Sequence, residues 1–99
     1  MSKDPAVLFY TSDFLAGTAF FSKEEKGEYI TLLCEQHQLG HIPENHMIQM
    51  CGSITSPVVK KFVKDKDGLY FNKRMEEEIK KRTKYSKSRR KNRLGNKHM

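Results

Sequence analysis

Apolar positions along the 99-residue chain fall into short clusters separated by recognisable polar punctuation. The first cluster, AVLFYTSDFL at residues 6–15, opens as an unbroken apolar run, carries Phe14 and Leu15 beyond it and stops before "AGT". It predicts an extended, buried N-terminal segment. SKEE follows at residues 22–25. There Ser22 can cap a helix and Glu25, three positions on, can reach back to complete a capping box. Ile30, Leu33, Cys34 and His37 then recur at helical spacing, with Glu24, Glu28 and Glu35 mostly off that stripe. Gly40 ends the pattern, so a helix of about 16 residues is expected with that stripe inward.

HIPENHMIQMCG predicts a second, shorter helix: Pro43 at the first helical position, Met47, Ile48 and Cys51 inward, Gly52 as the stop. TSPVVKKFVK repeats the start signal with Ser56 as cap and Pro57 behind it. Val58, Val59, Phe62 and Val63 form one apolar face there, so a third helix is expected with Lys60, Lys61 and Lys64 on its other side. After the Asp67-Gly68 turn, LYF can pair back on the residues before the turn as a β-hairpin. RMEEEIKKR places three acids ahead of three bases, the order that suits a helix dipole, and pairs Glu76 with Lys80, Glu77 with Lys81 and Glu78 with Arg82 at i, i+4. Beyond Ile79 the bulky apolar residues are too sparse for packing or a coiled coil. The expected architecture is mostly α with a small β-hairpin. Residues 1–82 form the domain, and 83–99 a frayed helix passing into a disordered basic arm.

Charge changes this picture. The formal net charge is +7, but residues 1–58 hold 3 basic and 7 acidic residues, whereas residues 59–99 hold 16 and 5. Residues 79–99 alone hold 10 bases and no acid. A polyanionic partner is implied, and it must be met by the tail and by local patches, because the net charge of the rest repels phosphates. No run approaches the ~18 apolar residues of a membrane span. MSKDPAVLFYTSDF has an acid and a proline where a signal peptide requires a continuous apolar segment, so a cytoplasmic protein with no membrane partner is expected. With only Cys34 and Cys51 there is no disulfide framework, and both are expected as small buried hydrophobes.

Three helices, a hairpin and a fourth helix joined by short links suggest a winged helix-turn-helix with a C-terminal helix and a basic tail. FYTSDFLAGTAFFSKEEKGEYITLLCEQHQLGHIPEN, followed by DGLYFNKRMEEEIKKR, resembles the YdaU-like N-terminal domain of phage and prophage replication-initiation (replisome organiser) proteins over about residues 8–82. The pieces that carry the likeness are Phe9 and Tyr10 leading to Asp13, the SKEEKGEYITLL helix with Gly27 and Tyr29, the GHIP turn, and NKRMEEE. The resemblance implies a DNA-binding winged helix followed by a second helical region that meets the replicative helicase or its loader. That region is not in this sequence, so such a partner is expected only through regions absent here.

In such a domain the third helix faces the major groove and the hairpin touches flanking DNA. The candidate contacts are Lys60, Lys61 and Lys64 on the helix, Lys66, Lys73 and Arg74 on the wing, and Lys84, Lys87, Arg89, Arg90, Lys91 and Arg93 on the arm. Lysine meets phosphate as a mobile point charge, while base reading favours Arg, Asn and Gln, none of which lies between Pro57 and Asp65. Binding through phosphates with low sequence selectivity is therefore expected. The rival readings are a protein-interaction or homo-oligomerisation module of a primosome, and a winged-helix transcriptional regulator. Cys34 and His37 stand one helical turn apart, but no second short-spaced pair among His41, His46 and Cys51 completes a zinc site. A Cys-His pair without an orienting group or oxyanion loop does not make a nucleophile, and the glycines form no phosphate cradle. Neither enzyme activity, metal nor cofactor is expected.

Overall fold

The computed structural model describes residues 7–82. Residues 7–10 lead without regular structure into a short helix, α1 (Thr11–Gly17), which buries none of its residues. This corrects the expected extended, buried segment. The run lies mostly exposed: Val7 packs half-buried against the core, and Phe14 stacks on Tyr29 at 5.8 Å. The buried Thr18 hydroxyl closes the helix by donating to the Phe14 carbonyl at 2.8 Å.

The long helix α2 (Lys23–Leu39) is bounded as its signals imply. The Glu25 N–H donates to Ser22 Oγ at 3.1 Å and the Ser22 N–H to Glu25 Oε1 at 2.8 Å, completing the capping box. Gly40, at φ 97°, ends it in a conformation that side-chain-bearing residues rarely adopt. The inward stripe is shifted from the expected one: Leu32, Leu33 and Gln36 are buried, while Cys34 is exposed and Ile30 and His37 are half-buried. Helical spacing admits both stripes, because the apolar residues cover a wide arc; the packing of the hairpin and the last helix selects one.

α3 (Glu44–Cys51) starts one residue later than expected, with Pro43 as its extended cap, and stops at Gly52. Met47 is fully buried, whereas Ile48, expected inward, is 40% exposed. The third helix does not form. Its start signal works locally: the Val58 N–H donates to Ser56 Oγ at 3.1 Å and the Lys60 N–H to the Ser56 carbonyl at 3.3 Å. Only a 3-10 turn, Val59–Lys61, follows before Phe62 becomes extended. Val63 and Lys64 are then taken by strand β1 (Val63–Lys64), antiparallel to β2 (Tyr70–Phe71), with Val63 opposite Phe71 and Lys64 opposite Tyr70. β-branched residues favour this outcome. Ile42 pairs with the other edge of Tyr70 through two backbone bonds of 2.8 and 2.7 Å, tying the hairpin to the α2–α3 link.

A last helix, α4, runs over residues 73–82 of the described chain. Asn72 caps it, its Oδ1 accepting the Met75 N–H at 2.9 Å, while its Nδ2 donates to the Lys61 carbonyl at 2.9 Å. Buried Gln36 locks this corner from below, accepting the Asn72 N–H at 2.7 Å and donating to the Asn72 carbonyl at 3.2 Å. The described chain is thus mostly helical with one two-stranded hairpin. Its core is drawn from α2, α3, the Val58–Phe62 turn, Tyr70 and Met75.

Candidate nucleic-acid interface

The hairpin turn is built by Asp65, whose Oδ1 accepts the N–H groups of Asp67 at 2.8 Å and Leu69 at 2.9 Å, and by Gly68 at φ 83°. Lys66 is thereby held exposed beside the exposed Asp67. Lys64 is exposed as well, but its Nζ lies 3.8 Å from Glu44 and 5.6 Å from the centre of the Tyr70 ring. Lys60 projects from the 3-10 turn into solvent. Lys61, expected on the solvated side of a helix, is half-buried, with its ammonium 5.8 Å from the centre of the Phe21 ring. With Lys60 and Lys61 on the 3-10 turn and Lys64 on β1, the three lysines expected on one helix face no longer share one.

Lys73 and Arg74 open α4, both exposed. Cations in a helix's first turn oppose the macrodipole, so this placement does not serve helix stability. Arg74 pairs with Asp13 and lies 4.7 Å over the Tyr10 ring, which fastens α1 to α4. The two candidates that meet are Lys61 and Arg74, which line one cleft between the α1 segment and α4. Lys60, Lys64, Lys66 and Lys73 stand on the turn, strand, loop and helix start. Lys84, Lys87, Arg89, Arg90, Lys91 and Arg93 lie outside the described residues.

The most interconnected polar group was not legible from spacing. His41 places Nδ1 2.6 Å from Asp65 Oδ2 and Nε2 3.0 Å from Glu76 Oε2, with its ring stacked on Phe71 at 4.5 Å. The Asp65 hydrogen bond, reinforced by Glu76, holds the imidazole pKa above its ordinary value against the opposing effect of burial, and His41 in turn lowers the Asp65 carboxyl. Glu76, expected to pair with Lys80, instead bonds His41 and Gln36. Glu78 contacts Lys81 at 3.6 Å. The contacts of His41 and Glu76 span 24 to 40 residues and follow from the fold, not from any local motif. The thiol of Cys51 is pushed up, first by burial and then by the nearby Glu28, which keeps it protonated.

Among the described residues no group of three or more His, Cys, Asp or Glu side chains could hold a metal ion, and no helix is long and apolar enough to cross a membrane. Comparison with family models, with curated proteins and with solved structures gives no match for this chain.

Proposed function

We propose that the chain is a DNA-binding module of the winged-helix kind, as in phage and prophage replication initiators, that holds DNA mainly through phosphates with low sequence selectivity. One observation carries this reading. Residues 1–82 hold 12 basic and 12 acidic side chains, and residues 83–99 hold 7 basic and none acidic, so the entire net charge sits in the arm. Such an arm releases counterions from a polyanion whatever its sequence. The order of helix, bridging residue, helix, turn and hairpin supports the winged-helix layout, and the exposed Lys60, Lys66 and Lys73 have no carboxylate within ion-pair distance among the described residues. With a 3-10 turn at the position of a reading helix, major-groove recognition is weak.

A second reading has its own observation: Leu15 is 65% exposed and Phe20 wholly so, an apolar surface that suits a protein partner or a second copy. One experiment separates the two. Affinity of the full chain for a labelled duplex is measured across salt, beside a full-length variant with Lys84, Lys87, Arg89, Arg90, Lys91 and Arg93 changed to Gln. Each phosphate contact contributes about 0.9 to the slope of log affinity against log salt, so the variant's slope should be shallower by roughly 3 to 5. An unchanged slope rejects the arm as the footprint. Absence of duplex binding by either protein, with a concentration-dependent dimer in sedimentation, favours the interaction module.

A further inference from the structure

Residues 8–17 lie on the domain as a strap and contribute nothing to its buried core. Within them only Phe14 and Gly17 are half-buried, and the other residues are exposed. An open cleft of about 220 Å³ lies between this segment and α4, so the two do not close on one another. Half-buried Val7 before the strap and fully buried Thr18 after it fix its ends. Between those ends it is held by the stack of Phe14 on Tyr29 and by Arg74, which pairs with Asp13 and lies 4.7 Å over the Tyr10 ring. Arg74 does not serve α4 itself, because a cation in the first turn opposes the helix dipole. Its ion pair and its ring contact both go to the strap.

The carboxylate that covers Arg74 stands on a part of the chain that can move away. Lys64 is also paired, with Glu44, but Glu44 opens α3, which helps to build the core. Asp13 belongs to a helix that buries none of its residues. Asp13 and Arg74 are each more than half exposed, and ion pairs of that kind hold weakly because water and salt screen them. A guanidinium takes phosphate in the same two-pronged geometry as carboxylate, and a duplex presents a phosphate charge about every 1.7 Å of its axis against this single carboxylate. We infer that residues 8–17 are an autoinhibitory strap, in which Asp13 and Tyr10 withhold Arg74 from DNA until a phosphate displaces them. Once released, Arg74 stands next to exposed Lys73 at the start of α4, so opening the strap turns one available cation there into two. This role rests on the DNA-binding reading above and adds its regulation.

The test compares the affinity of four full-length proteins for one labelled duplex: the native chain, Asp13→Asn, Arg74→Gln and the double variant. Asp13→Asn keeps the size of the side chain and removes the charge that competes with phosphate. It should bind the duplex more tightly than the native chain, by up to about fivefold, the upper worth of an exposed ion pair. In the Arg74→Gln background the same substitution should gain much less, because no guanidinium is left to free; the cycle isolates that coupling from the general effect of removing a negative charge. An equal gain in both backgrounds, or no gain in either, overturns the strap. NMR without DNA checks the hold itself. The Tyr10 ring resonances should shift in Asp13→Asn while the methyl of fully buried Met47 stays in place, and adding duplex to the native chain should move Tyr10 in the same direction. A Tyr10 ring that responds to neither change also overturns the strap. If the native chain binds duplex and the cycle shows no coupling, the strap falls and the DNA reading stands; if neither the native chain nor Asp13→Asn binds duplex, both fall.

Discussion

His41 shows how one side chain couples three elements through its protonation state. A ring with a carboxylate at each nitrogen is satisfied only when both nitrogens carry hydrogen, because the neutral imidazole offers a single N–H and turns a lone pair on the other acceptor. With its folded pKa raised above 6.5, His41 contributes stability that is fully present below the unfolded value and is lost as pH rises through the folded one. Asp65, lowered from 3.8, contributes stability present above that value and lost as pH falls through its folded pKa. The clamp is therefore strongest between the lowered Asp65 value and the raised His41 value. The His41 ring protons should titrate by NMR with a midpoint above 6.5, and the melting temperature should fall as pH rises through that midpoint. In His41→Phe that alkaline loss should shrink. A midpoint at or below 6.5 would show that the double contact does not form in solution.

Among the elements, residues 57–64 carry the clearest conflict between local and long-range preference. Ser56 and Pro57 begin a helix and succeed for one turn, but Val63 and Lys64 gain a strand partner in Tyr70 and Phe71, and Phe62 is left buried at the junction with 5% exposure. Its ring meets Tyr29 edge-on at 6.1 Å, so the side chain packs against α2 from an extended backbone. Phe62→Ala should cost on the order of 3 to 5 kcal/mol, as aromatic truncations in cores do. Denaturant unfolding that leaves the midpoint unmoved would remove Phe62 from the core. The capping box of Ser22 and Glu25 and the Gly40 and Gly52 stops were legible because their partners lie within a few residues. The Gln36–Asn72 lock was not. A glutamine among apolar neighbours has no local feature marking it as buried, and its partners stand 36 residues away.

For the chain taken together, charge and folded shape are carried by different stretches of sequence. The net charge lies in residues 83–99, while the described domain presents isolated lysines on a turn, a strand, a loop and a helix start. On the proposed DNA-binding reading, a phosphate-led footprint discriminates poorly between duplexes. Scrambling the sequence of a bound duplex should shift affinity by less than the ~1 to 3 kcal/mol of one bidentate base contact. A larger shift in a competition assay would require a base-reading surface that the lysines do not provide. Composition, charge asymmetry, the Ser22 cap and the hairpin turn were readable residue by residue, because each depends on neighbours in the chain. Which face of α2 turns inward, the replacement of a third helix by a strand, the His41 clamp and the placing of Lys61 and Arg74 on one cleft depend on contacts far apart in sequence. Burial energy and strand pairing act between surfaces, so local preference at Val63, Gln36 or Cys34 gives way once those surfaces meet.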